Sequence, residues 1–268
     1  MLSVTNLQKT FNAGTVNEVQ ALRGVSFTLE DGGFTCVLGT NGSGKSTLLN
    51  AVAGAFFPDK GTIVLDGVDM TLWPEYKRAR YVGRVFQNPL SGTAPDMSIA
   101  ENLSLALKRG KPRGLGRGIS GKLKEEFCRM VKPLNMDLED RLDSPIGKLS
   151  GGQRQALTLL MASALKPKLL LLDEHTAALD PGTAAKVIDL TQMIVTRDRL
   201  TTLMVTHSMQ QAVNMGDRIL MMHQGRVACD FKGESMQRLN DLLALFEELR
   251  RKDAIDLSVA TLLTNKYV

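Results

Sequence analysis

Nine consecutive residues, GTNGSGKST from Gly39 to Thr47, have the types and spacing that grip a polyphosphate. They follow the apolar stretch FTCVL and open KSTLLNAVAGAF, whose apolar residues recur at helical spacing. A strand before and a helix after is the setting in which the pattern G-x-x-x-x-G-K-[ST] has mechanical meaning. Gly39, Gly42 and Gly44 let the backbone close around an anion. The amides of Thr40, Asn41, Ser43 and their neighbours then point inward, with the helix N-terminus behind them. Lys45 is placed to neutralise β- and γ-phosphates, the Ser46 hydroxyl to ligate Mg²⁺, and Thr47 continues the helix. The segment predicts a site for a nucleoside triphosphate.

A second stretch, LLLLDEHTAALDP from Leu169 to Pro181, ends a run of four leucines in two adjacent carboxylates. Two like charges at the end of a buried strand need positive charge nearby, or one of them is driven to its neutral form. A divalent cation and Lys45 supply it. In P-loop proteins a hydrophobic strand ending in Asp lies beside the phosphate-loop strand and its carboxylate holds the magnesium ion, a place that Asp173 resembles. On an extended strand successive side chains point to opposite faces, so Glu174 is expected to face the terminal phosphate and accept a hydrogen bond from the attacking water.

A third stretch, LSGGQRQ from Leu149 to Gln155, places Ser150, Gly151, Gly152 and Gln153 at the start of a helical pattern. It is another helix N-terminus prepared for an anion. With these motifs together the chain resembles the ATP-binding-cassette ATPases, from Leu2 to about Gly233. The resemblance implies that two copies pack head to tail and that Ser150, Gly151, Gly152 and Gln153 of one grip the γ-phosphate of ATP bound by the other, an isologous dimer. It also implies that Phe11 stacks on adenine, although a core phenylalanine would fit the same position. Gln87, in RVFQNP, would touch Mg²⁺ and the attacking water and couple the site to a membrane partner. Asp180 would cross the dimer interface, and His207, ending TTLMVTH, would contact the γ-phosphate. His175 departs from the family pattern, which carries proline there.

The elements that must position these residues follow from pattern. Short segments rich in β-branched and aromatic residues, bounded by Gly, Asn or Asp, fill the first third: LSVTNLQKTF, VQALRGVSFTLEDGG, FTCVLG, GTIVLDGVDM and RYVGRVFQ. IAENLSLAL and KEEFCRMVKPL then read as helices, and after Ser150 helices and strands alternate, which implies a parallel sheet covered on both faces. The expected fold is α/β, and the resemblance makes it a P-loop NTPase (RecA-like) parallel-sheet core with an antiparallel β subdomain and an inserted α-helical subdomain at about 90–148. The ATPase domain is expected to span 1–235. A C-terminal amphipathic helix and tail, 236–268, would carry its stripe on Leu239, Leu242, Phe246 and Leu249.

The chain has 268 residues, 43% hydrophobic and 23% charged, which excludes a disordered class. Its apolar runs are far shorter than the roughly 20 residues of a membrane span, and its N-terminus lacks a secretory signal, so a cytosolic location is expected. Cys36, Cys128 and Cys229 form no CxxC and suit reduced thiols. The net charge of +5 is concentrated in Lys108 to Lys124, with seven basic residues and no acidic one. That segment suits a solvated loop or one that meets anionic headgroups; without interleaved aromatics, base stacking is unsupported.

The resemblance therefore implies the ATPase subunit of a membrane transporter, at the cytoplasmic face of the inner membrane. Its partners would be transmembrane permease subunits and an extracytoplasmic substrate-binding protein, with no nucleic acid. A standalone cassette resembles bacterial importer subunits first, with an exporter or lipoprotein-release ATPase as the alternative. DEHTAALDP and the basic loop are similar to a group associated with uptake of aromatic amino acids such as tryptophan and tyrosine. Cassettes acting on ribosomes or nucleic acid usually carry two cassettes or a coiled-coil insertion, neither of which is present. Small-molecule kinases and GTPases lack LSGGQ.

Overall fold

The computed structural model describes residues 1–111 and 118–233. Strands β1 (Leu2–Phe11) and β2 (Val19–Leu29) pair antiparallel, and β3 (Phe34–Gly39) leads through the phosphate loop into α1 (Lys45–Ala53). All of β3 is buried, as expected of a central strand covered on both faces. β4 (Lys60–Leu65) and β5 (Val68–Asp69) return to the first sheet, whose order is β2-β1-β4-β5. A short helix α2 (Glu75–Arg78) precedes β6 (Val82–Val85). Within 90–148 the chain forms α3 (Ile99–Leu107), started by a Ser98–Glu101 capping box, and α4 (Gly121–Val131). α5 (Gly151–Ser163), β7 (Leu169–Asp173), α6 (Pro181–Asp198), β8 (Thr202–Val205) and α7 (Met209–Met215) then alternate as the sequence predicts.

The second sheet runs β10-β9-β3-β8-β7-β6, where β9 is Arg218–His223 and β10 Arg226–Lys232. Its neighbours are parallel except for the β9–β10 hairpin. One expectation is corrected here and one element is new. β7 does not lie beside β3, because β8 stands between them, with Val205 paired to Val37 on one side and Asp173 on the other. The β9–β10 hairpin was not predicted, although β9 borders β3. Its turn places Gln224 and Gly225 at φ 44° and 77°, a left-handed pair usually signalled by Asn-Gly or Asp-Gly rather than Gln-Gly.

The period-2 alternation of the sheet divides the core. Leu170, Leu172, Cys36, Leu38 and Met204 pack with the apolar faces of α3, α5 and α6. Leu169, Leu171, Val37, Leu203 and Val205 face the other way, toward α1 and the antiparallel sheet. The four leucines are fully buried, each contributing about 1.5–3 kcal/mol by transfer from water. They make β7 a rigid base for the carboxylates that follow. The C-terminal helix of 236–268 lies outside the described residues, as do 112–117 of the basic segment. Among the described residues no helix is long and apolar enough to cross a membrane.

Candidate functional site

The phosphate loop is built so that only glycine fits. A Cβ on Gly39 would stand 2.3 Å from the Met222 carbonyl, and one on Gly44, at φ +99°, 2.5 Å from that of Ala21. Gly44 is also the N-cap of α1 and carries no side-chain cap, so no side chain takes the place of an anion at this helix end. Lys45 is 5% exposed and its Nζ donates to the carbonyls of Gly39 and Thr40, both at 2.9 Å, which holds the ammonium across the loop. Ser43 Oγ is buried without a hydrogen-bond partner.

A cavity of about 540 Å³ opens over this loop, lined by Phe11, Asn41, Gly42, Gly44, Lys45, Ser46, Thr47, Glu174 and His207 together with Val19 and Ala21. That volume suits a nucleotide-sized ligand. Phe11 stands at the cavity rather than in the core, edge-on to Phe56 with ring centroids 5.3 Å apart. Nine of the nineteen predicted site residues thus line one cavity.

The carboxylates diverge for a reason other than the one expected. β7 ends at Asp173, and Glu174 has a left-handed backbone, φ 43°, so it is not the next residue of an extended strand. The turn, not the pleat, separates the two side chains. Glu174 Oε1 lies 2.5 Å from His207 Nε2. His207 sits two residues beyond the end of β8, on the loop before α7, not at the strand's last position. Asp173 turns to the other side, with its carboxylate 3.4 Å from Arg84, which also donates to Asn50 Oδ1 at 2.6 Å. Burial raises the pKa of Asp173 above the ordinary carboxylate range, against the opposing pull of Arg84 and Lys45. Burial likewise lowers that of Lys45, opposed by Glu174 and Asp173. Gln87 follows β6 and, like Asp173, does not line the cavity.

Sequence reasoning missed Arg84, whose role depends on β6 lying beside β7. It also left His175 without a place. The imidazole is 3% exposed, its Nε2 is 3.0 Å from Thr191 Oγ1 in α6, and burial lowers its pKa to about 4, so it is neutral.

Ser150 and Gln153 form a capping box that opens α5, with Ser150 Oγ accepting from the Gln153 amide at 3.2 Å. Asp180 caps α6 in the same way, accepting from the Thr183 amide at 3.0 Å, and the Thr183 hydroxyl together with that amide holds its carboxyl below the ordinary range. These two helix starts abut: a Cβ on Gly152 would lie 2.1 Å from Thr183 Cγ2, and one on Gly151 3.4 Å from Leu179 Cδ2. None of Ser150, Gly151, Gly152, Gln153 and Asp180 lines the cavity over the phosphate loop.

Among the described residues no group of three or more His, Cys, Asp or Glu could hold a metal alone. The donors present, the Ser46 hydroxyl, the Gln87 amide oxygen and the Asp173 carboxylate, are hard oxygen ligands. They fit magnesium, which is usually held by one or two carboxylates together with substrate phosphates.

Comparison with known proteins places this architecture. The family model described as "ABC transporter" matches residues 22–177. The chain is 44% identical to the tyrosine transport ATP-binding protein of Clostridioides difficile, over 92% of this chain and 99% of that one. It is 34% identical to the phosphate import ATP-binding protein PstB of Aeropyrum pernix, over 79% of this chain and 84% of the relative. Among solved structures it resembles a dimeric post-hydrolysis state of an ATP-binding cassette bound to ADP and Pi. The TM-score is 0.74 at 28% identity, covering 87% of this chain and 98% of that one.

Proposed function

The chain belongs to the ABC transporter family, whose cassettes are ATPases that form dimers and work with membrane permeases, and on that footing we propose that it powers a bacterial importer of an amino acid, with tyrosine or a similar aromatic side chain as cargo. The observation that carries the catalytic part is the Glu174–His207 pair, 2.5 Å apart at a cavity floored by Lys45. The cargo rests on the name of the tyrosine transport relative, matched over nearly its whole length.

ATP is held with its phosphates on the amides of Gly39–Thr47 and on Lys45, and its adenine against Phe11. A magnesium ion held by Ser46, Gln87 and Asp173 would supply charge neutralisation at the phosphates. Glu174 orients the attacking water by accepting its hydrogen bond, and His207 fixes that carboxylate while facing the γ-phosphate. Because Ser150, Gly151, Gly152, Gln153 and Asp180 stand apart from the cavity of their own chain, they complete the site of a second copy. Domain limits of 1–235 for the ATPase and 90–148 for its helical part accord with this reading.

The permease would dock in the groove of about 600 Å³ beside α3 and α5, lined by Tyr76, Arg84, Phe86, Leu105 and Arg109. Arg84 reaches from that wall toward Asp173, which gives docking a short route to the site. The chain would sit at the cytoplasmic face of the inner membrane, with an extracytoplasmic substrate-binding protein delivering the cargo and no nucleic acid involved.

The test uses a strain lacking this chain. Labelled tyrosine uptake is expected to fall and to return with the parent chain but not with Glu174→Gln, while purified Glu174→Gln binds ATP and accumulates as an ATP-bound dimer. Unchanged uptake in the deleted strain overturns the cargo. Undiminished ATP turnover by Glu174→Gln overturns the role of Glu174.

A further inference from the structure

Glu174 is held in a backbone conformation that a residue with a side chain keeps only when its surroundings fix it. What fixes it is a turn tied at both central residues. The Ala177 amide donates to the Glu174 carbonyl at 2.9 Å, closing the turn, and the Glu174 amide donates to the Val205 carbonyl at 3.0 Å. Between Glu174 and Ala177 stand His175 and Thr176, 3% and 7% exposed. The Thr176 hydroxyl accepts from Gln211 Nε2 at 3.4 Å, and Gln211 Oε1 accepts from Thr206, the residue before His207, at 3.0 Å. That tie joins the turn to the loop bearing His207.

The other tie is His175. Thr191 donates its hydroxyl proton to the Val187 carbonyl at 2.7 Å, so its oxygen faces His175 as an acceptor. The imidazole Nε2, 3.0 Å away, must therefore carry the proton, which settles the tautomer. The bond crosses from the turn to the third helical turn of α6, the helix that Asp180 starts and whose Thr183 meets Gly152. An imidazole inserted there can rotate little, since both its plane and its donor are set by packing.

We propose that His175 is a positioning residue: its Nε2–H bond to Thr191 anchors the Glu174–Ala177 turn to α6 and thereby fixes the Glu174 carboxylate over the phosphate loop. The proposal rests on the reading of Glu174 as the water-orienting carboxylate. It also references that carboxylate to α6, the body on which the Ser150 helix end is packed, so Glu174 and the face offered to a second copy move as one unit.

Four variants of the full chain test it: Thr191→Val, which removes the acceptor at nearly constant shape, His175→Leu, His175→Gln, which keeps a donor, and the Thr191→Val/His175→Leu pair. Thr191→Val and His175→Leu are each expected to lower kcat about tenfold, the rate equivalent of one hydrogen bond. KM for ATP and the affinity for a fluorescent ATP analogue should stay within about twofold. The double variant should fall no further than either single one, because both remove the same bond. His175→Gln should recover most of the rate. In the parent, imidazole nitrogen resonances should show the Nε2–H form, and that signal should move in Thr191→Val.

Single variants that keep kcat within about twofold while losing thermal stability would make the bond merely structural and overturn the proposal. Additive losses in the double variant would also overturn it. Glu174→Gln run alongside separates the two levels. If that variant turns over normally, the premise fails; if it is dead while Thr191→Val is normal, only the anchoring fails.

Discussion

Arg78 is a buried cation whose removal should unsettle the phosphate loop from a distance. Its side chain is fully buried, and burial lowers its pKa to about 10, so it stays charged at neutral pH. Among the described residues no carboxylate forms an ion pair with it, and Asp69 acts on it only at longer range. Instead Nη1 donates to the carbonyls of Ala51 and Val52, both at 2.8 Å, Nε to that of Trp73 at 2.8 Å, and Nη2 to that of Thr71 at 2.9 Å. Ala51 and Val52 belong to the last turn of α1, where carbonyls lack helical partners and the helix dipole is negative. The guanidinium therefore closes the far end of the helix whose near end is the phosphate loop. In Arg78→Met four carbonyls lose a donor, although Ala51 keeps the Gly54 amide. At about 1 kcal/mol for each and a similar amount for the lost dipole contact, the cost is roughly 3–5 kcal/mol. For a domain of this size that lowers Tm by about 10 °C. Thermal unfolding followed by circular dichroism measures it, and nucleotide binding at 20 °C should weaken in parallel. Arg78→Lys keeps the charge but cannot fork to four acceptors, and should recover less than half. A melting temperature for Arg78→Met within about 2 °C of the parent would refute the reasoning.

At the other helix start, Gly152→Ala forces a methyl into Thr183 Cγ2 and should cost about 1–3 kcal/mol by overpacking. ATP-dependent dimer formation in gel filtration should fall while nucleotide affinity of the monomer is kept. Adding Thr183→Ser, which removes Cγ2, should restore it, and failure of that rescue would remove the clash as the cause. Asp230 is held below the ordinary carboxylate range by its bond from Arg218, which also donates to the Thr28 carbonyl and so ties the β9–β10 hairpin to β2. Because the folded value is depressed, its contribution is present above the ordinary Asp pKa of about 4 and is lost as the pH falls below it. The Tm gap between parent and Asp230→Asn should therefore be open at neutral pH and close in acid; an equal gap at both ends would exclude the linkage.

Legibility in the sequence followed the range of the interactions. The phosphate loop and the Ser150–Gln153 cap are local: a few neighbouring residues carry both the geometry and the donors, so their placement could be read from spacing alone. The alternation of strands and helices was readable for the same reason. What needed the fold was everything that crosses between elements. Inserting β8 between β3 and β7 is a matter of topology, and no residue of KLLLLD signals it. Arg78 looks in EYKR like one more surface cation of a short polar helix; only the return of that helix against α1 buries it. His175 reads as a turn residue until α6 brings Thr191 to it, sixteen positions later.

The charges of the site support the roles proposed for the local motifs. Desolvation is the largest influence on both Lys45 and Asp173, and it outweighs the opposite charges each finds in the protein, so Lys45 is pushed down and Asp173 up. A structural ion pair does the reverse: Asp198 and Asp230, bound to Lys166, Arg197 or Arg218, end below their ordinary values. Lys45 donates its hydrogen bonds to loop carbonyls rather than to a carboxylate, and Asp173 meets Arg84 only at 3.4 Å. Each is buried more than its own chain compensates. Phosphate oxygens and a divalent cation would supply charges of the signs required, so on the proposed reading ligand binding would relieve the burial. The adjacent carboxylates after four leucines are tolerable because the fold separates them, Asp173 toward Arg84 and Glu174 toward His207, and a single left-handed residue makes that separation.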